Sequence, residues 1–293
     1  MRVSRRGMLA GAGSLAGLGL LGGAGALLDV LPGGSGLRSA LGLTGDDGTV
    51  PDVRPGTLDF HRRYSTARGA EVDLMVTAPP DVRPDALPVC LALHPLRSSA
   101  RGLADLGLPQ FVTDAAIRRA TGPFAVVAPD GGQHFWYDAG DGADPQAMLR
   151  DELPGWLDEL GLALPTAVLG MSMGGFGALG YAHERMETGA PLAATAAMSP
   201  ALFAHWESLN RQHAAPAKEI WAANDPLQHP DRRVGRTLGV WCGTADRFYE
   251  NSRIIAQLAK AELASFEPGG HNAGYWRRIL PDVVDFIGGH LRR

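Results

Sequence analysis

The sequence predicts an α/β fold built on a mostly parallel, doubly wound sheet that opens with an antiparallel hairpin. Three observations point there. Short apolar runs without internal alternation recur from Val89 to Cys242, as strands buried on both faces require. Stretches of helical length separate those runs. Two longer segments joined by a glycine turn precede them all.

Taken in order, residues 58–66 and 71–77 read as the hairpin, with Arg68 and Gly69 at the turn. The apolar runs are 89–93, 124–128, 167–169, 193–198 and 238–242, each bounded by Pro, Gly or Asp. Helices are expected over 108–120, 145–160, 174–186, 251–264 and 273–288. No internal repeat is visible. In open sheets of this kind ligands bind beyond the carboxyl ends of the strands, so chemistry is expected just after each apolar run.

The first residues form a separate object. Arg2, Arg5 and Arg6 precede an uncharged Gly-, Ala- and Leu-rich stretch over 7–28, with small residues at Ala24, Gly25 and Ala26. A basic start, an apolar middle and small residues at the end make an export signal. Ser4-Arg5-Arg6-Gly7-Met8-Leu9 resembles a twin-arginine motif. Residues 1–28 are therefore expected to be an export signal or a membrane anchor, placing the protein outside the cell, in the periplasm or on the cell envelope. Residues 29–56, with Pro, Gly and Asp clusters, read as a linker, and the catalytic domain as 57–293.

Composition narrows the function. Hydrophobic residues make up 45% and charged residues 20%, which excludes a disordered or collagen-like chain. A net charge of −4, with no basic block after the N-terminus, gives no footprint for nucleic acid. Two cysteines support neither a disulfide scaffold nor a thiolate zinc site. Cys90 and Cys242 fall in different strands and are expected to be free thiols. No metal and no cofactor is implied.

Gly170-Met171-Ser172-Met173-Gly174 is a G-x-S-x-G motif between a short strand and a helical run. That setting makes a nucleophile elbow: the strand turns sharply into the helix, and small neighbours let the two approach. A serine hydroxyl needs an imidazole to take its proton, and the imidazole needs an orienting carboxylate. Downstream, Asp246 follows the run 238–242, and His271 lies in a Gly-rich loop ahead of the last helix. Serine, acid, histidine is the order such elbows use. Glu250 and Glu267 are the rival acids; Asp225, a further alternative, precedes a proline and reads as a cap. Two backbone N–H groups must face the tetrahedral intermediate. Met173 is one; because Pro95 has none, Leu96 or Arg97 supplies the other. His94 reads as shaping that loop. Phe135, Trp136 and Tyr137 follow the run 124–128 and either line an acyl pocket or pack against the next helix.

The combination of GMSMGG at 170–175, HPLR at 94–97, PDGGQHFWYD at 129–138 and DELPGWL at 151–157 resembles the esterase D and antigen 85 mycolyltransferase branch of the α/β-hydrolases. The similarity spans about 71–286. It implies an α/β-hydrolase fold, with Leu96 as the second oxyanion donor and Arg97, Phe135, Trp136 and Tyr137 near the substrate. The implied activity is hydrolysis of small-molecule or lipid carboxylic esters, with acyl transfer to a sugar or alcohol as the alternative. His94-Pro95 replaces the Asp-Gly pair of that branch, and the acid is Asp246 where mycolyltransferases carry glutamate; both departures favour hydrolysis. Some relatives of the mycolyltransferases lack the triad and act as cell-surface binding proteins. An intact Ser172, Asp246 and His271 speaks against that reading here.

Overall fold

The computed structural model describes residues 42, 44–212, 216–229, 232 and 234–291. The expected export signal lies outside them. Eight strands form one sheet in the order β1-β2-β4-β3-β5-β6-β7-β8. β1 (Thr57–Ser65) and β2 (Ala70–Ala78) are the antiparallel hairpin, closed by Gly69 at φ 60°. β2 pairs antiparallel with β4 (Ala125–Pro129), and every later pairing is parallel. A mostly parallel sheet with an antiparallel start is the architecture expected.

β3 (Val89–Leu93), β5 (Pro165–Met171), β6 (Ala194–Met198) and β7 (Leu238–Gly243) match the apolar runs. Their continuity follows from two cores. In β3, Val89, Leu91 and Leu93 face one side, while Cys90 and Ala92 face the other. Helices α1 (Ala100–Leu106), α2 (Leu108–Ile117) and α8 (Ala273–Leu291) cover the second side. On the first lie α3 (Leu153–Glu159), α4 (Met173–Glu187) and α7 (Tyr249–Leu258). Short helices α5 (Trp206–Gln212) and α6 (Lys218–Asn224) sit in the connection from β6 to β7.

Three expectations are corrected. The helix expected over 251–264 stops at Leu258, and the chain then enters an edge strand, β8 (Leu263–Glu267). The helix expected over 145–160 is broken: a turn at Pro145–Ala147 and a π-helical stretch at Met148–Glu152 precede α3. Pro154 explains the break, since it has no N–H to continue the α ladder. Finally, the chain packs on the domain from Thr44, ahead of the boundary expected near Thr57.

Candidate active site

β5 delivers Ser172 at its carboxyl end, and α4 begins at the next residue. Ser172 has φ 54° and ψ −115°, a conformation that costs about 1–3 kcal/mol and persists only where its surroundings enforce it. They do. The Ser172 amide donates to the Met198 carbonyl at 2.9 Å, and the Ser172 carbonyl accepts from Phe176 and Ala201. A Cβ on Gly170 would stand 1.9 Å from the Gly174 carbonyl oxygen, and one on Gly174 would stand 2.0 Å from that of Leu93. The glycines of the motif are therefore a packing requirement.

The Ser172 hydroxyl lies 2.8 Å from His271 Nε2, and His271 Nδ1 lies 2.8 Å from Asp246 Oδ2. With Nδ1–H donating to the carboxylate, Nε2 is left to accept the serine proton. The second Asp246 oxygen accepts the Phe248 amide at 2.9 Å. Burial pushes the Asp246 carboxyl up, but His271, the Phe248 amide and Ser199 together outweigh it and hold it below the usual carboxylate range. The rings of Phe248 and Trp276 meet the imidazole edge to face, each with centroids 5.2 Å away. The rival acids lie elsewhere: Glu250 is exposed and pairs with Arg253, and Glu267 is exposed at the end of β8.

Sequence reasoning missed Ser199 and Trp276. Trp276 Nε1–H donates to Ser199 Oγ at 3.2 Å, and Ser199 in turn favours the ionised form of Asp246. Ser199 directly follows β6, and the strand-end rule alone makes it a candidate. Trp276 carries no such signal, because its partner is 77 residues away in sequence.

The amide of Met173 is the first of α4, where the helix dipole is positive. Of the two candidates for the second donor, Arg97 is taken: its amide donates to Gln133 Oε1 at 2.5 Å. Among the described residues neither Leu96 nor Met173 gives its amide to a protein acceptor. His94 is buried and does not reach the serine. It accepts the Gly131 amide on Nε2 at 3.0 Å, so Nδ1 carries the proton donated to the Pro95 carbonyl. Burial lowers its pKa, keeping the ring neutral.

All three aromatics are buried. Trp136 and Tyr137 are buried in the core, correcting the substrate-binding role expected of them. Trp136 packs over Gly131 and Gly177 and donates Nε1–H to the His94 carbonyl, so it supports the loop that carries Leu96. Tyr137 packs on Phe176. Phe135, buried like them, meets Phe203, and the row of rings runs on through Phe248 to His271. Arg97 is exposed.

Among the described residues no three His, Cys, Asp or Glu side chains converge as metal ligands, and no helix is long and apolar enough to cross a membrane.

No curated protein matches the chain by sequence. Solved structures match by fold. A ferulic acid esterase aligns with 19% identity over 81% of this chain and 100% of its own, with a TM-score of 0.66. An S-formylglutathione hydrolase from Agrobacterium tumefaciens aligns with 16% identity over 84% and 99%, with a TM-score of 0.64. MPT51 of Mycobacterium tuberculosis aligns with 20% identity over 81% and 100%, with a TM-score of 0.59. Residues 65–287 match the profile of the family described as "Putative esterase", and that span includes all eight strands but β1. The chain belongs to this esterase family of the α/β-hydrolase fold and is an enzyme of the carboxylic ester hydrolase class.

Proposed function

We propose that this protein is an exported serine hydrolase that cleaves small-molecule or lipid carboxylic esters through an acyl-enzyme on Ser172. The observation that carries the reading is the line Ser172 Oγ, His271 Nε2, His271 Nδ1, Asp246 Oδ2, closed by two 2.8 Å hydrogen bonds.

His271 takes the hydroxyl proton as Ser172 attacks the ester carbonyl, and Asp246 stabilises the imidazolium that forms. Negative charge on the carbonyl oxygen is met by the Leu96 and Met173 amides and by the positive end of α4. His271 then returns its proton to the leaving alkoxide, which departs as an alcohol. Water, deprotonated by the same imidazole, attacks the acyl-enzyme and releases the acid. The chain's own groups and water complete every step.

Ser172→Ala is expected to lower turnover of p-nitrophenyl esters at least about a thousandfold, with the circular dichroism spectrum unchanged. The wild type should gain one fluorophosphonate adduct, on Ser172, detected by mass spectrometry. Absence of that adduct would favour a binding protein on this scaffold. An acylated glycerol or trehalose among the products would replace hydrolysis by acyl transfer. Export rests on Arg5 and Arg6 and the apolar run 7–28. Replacing both arginines by lysine should leave the protein inside the producing cell.

A further inference from the structure

The stretch ahead of β1 crosses the amino end of α8 and the loop that carries His271. The Gly48 amide donates to the Gly274 carbonyl at 2.8 Å. Arg278, on the second turn of α8, donates through Nη1 to the carbonyls of Thr44 and Asp46 and through Nη2 to that of Pro268. One guanidinium thus ties the early segment to the start of the histidine loop. Contact is close throughout. A Cβ on Gly48 would stand 2.0 Å from the Arg278 amide nitrogen, and one on Gly274 would stand 1.9 Å from the Asp47 carboxylate. Thr44 is buried, and its methyl lies 3.6 Å from where a Cβ on Gly270 would be. At the far end Val50 packs against Gly107, at the junction of α1 and α2.

The loop so covered needs an external hold. Gly269 and Gly270 precede His271, and successive glycines lose more conformational freedom on ordering than any other pair. Gly269 admits no larger residue, since a Cβ there would stand 2.2 Å from the Tyr275 ring. The imidazole must nevertheless sit at one distance from Ser172, because an error near 1 Å costs about a hundredfold in rate.

We propose that residues 44–50 are a positioning strap, which fixes the 268–272 loop so that His271 stays in line between Asp246 and Ser172. The inference rests on the reading of His271 as the general base. It makes the segment between the expected export signal and the sheet part of the catalytic apparatus, acting through the loop and not on substrate.

The test uses the full chain. Gly48→Ala cannot keep its place against Arg278 and leaves the triad untouched; Asp52→Ala, at an exposed position outside the strap, is the control. In Gly48→Ala, kcat for p-nitrophenyl acetate should fall about tenfold or more with KM within about twofold, and fluorophosphonate labelling of Ser172 should slow by the same factor. The downfield proton resonance of His271 Nδ1–H should broaden or move. Asp52→Ala should match the wild type in all three. Arg278→Gln severs the same tie from the other side and is expected to behave like Gly48→Ala, which keeps the test intact if that variant does not fold. Either variant, folded, with kcat and the downfield resonance unchanged overturns the strap, whatever its melting temperature. A wild type that neither hydrolyses esters nor labels defeats the esterase reading alone. The resonance in Gly48→Ala then still decides the strap.

Discussion

A histidine beside an oxyanion donor invites a catalytic role, and His94 shows how local partners settle the matter. Its two nitrogens are spent on the Gly131 amide and the Pro95 carbonyl, so it joins the loops after β3 and β4 as a neutral ring. Its folded pKa lies below the ordinary 6.5 because burial disfavours the cation. In the unfolded chain the ring takes up a proton near pH 6.5, whereas in the folded chain it does so only at lower pH. Stability from this site is therefore complete above about pH 6.5 and declines as the pH falls from there through the folded value. His94→Gln, which keeps an acceptor and a donor without titrating, should lower stability by about 1–3 kcal/mol at pH 7.5 yet flatten its decline between pH 7 and 5. Melting curves across that window measure both effects; equal slopes in wild type and variant would refute the assignment. Ser199 works on the acid instead. Its hydroxyl, which accepts the Trp276 Nε1–H, is one of the groups that keep Asp246 ionised in a buried setting. Hydrogen bonds to charged groups contribute roughly 1.5–3 kcal/mol, so Ser199→Ala should reduce kcat about tenfold or more with KM little changed. Ser199→Thr, which keeps the hydroxyl, should recover part of the loss.

The elbow was legible because its geometry leaves the sequence little choice. Gly170 and Gly174 stand where any side chain would meet backbone, and backbone cannot swing aside. Gly174→Ala should push the end of β3, and with it the loop bearing Leu96, at a cost of about 3 kcal/mol or more in urea unfolding. Gly180, further along α4, is the contrast: a Cβ there would meet only the tip of Gln146 at 3.5 Å. Gly180→Ala should stabilise the protein by about 0.5–1 kcal/mol, since alanine is the better helix former. Opposite signs from two glycine-to-alanine changes in one helix would separate motif from filler. The strands from β3 to β7 were legible for a related reason: burial on both faces demands unbroken apolarity. β8 was not. It pairs on one side only, its residues are half-exposed or exposed, and its Leu-Ala-Ser-Phe-Glu continues the polarity pattern of the helix before it. α1 was hidden by its glycines: a Cβ on Gly102 would meet the Ser98 hydroxyl at 2.1 Å, and Gly107 ends the helix at φ 104°. Local signals at Ser172, Asp246 and His271 placed the three residues in the order such sites use. What they could not carry were contacts made only by folding, such as Trp276 on Ser199 or Arg278 on Thr44.

Both cysteines are free and buried, and they report on different parts of one structure. Cys90 lies in β3, flanked by β4 and β5 and covered by helices on both faces. Cys242 lies in β7, whose outer neighbour is the edge strand β8. Two strands intervene, and three interstrand steps of about 4.8 Å put the thiols some 14 Å apart, beyond the reach of a disulfide. Burial raises both thiol pKa values far above neutrality, so neither reacts until its surroundings open. Opening is not uniform in a molecule of this shape. Central strands share in global stability, whereas half-exposed edges open at lower cost. β8 and the loop that follows it form the edge beside Cys242, and that same loop carries His271. With pulses of iodoacetamide at rising urea, Cys242 should be alkylated before Cys90, as read by peptide mass spectrometry. Ester hydrolysis should disappear along the Cys242 curve, because the opening that exposes this thiol also takes the imidazole out of line with Ser172. Far-UV circular dichroism should follow Cys90. Coincidence of all four curves would mean that the edge and the centre unfold as one unit, and labelling of Cys90 first would place the weak point on the hairpin side of the sheet.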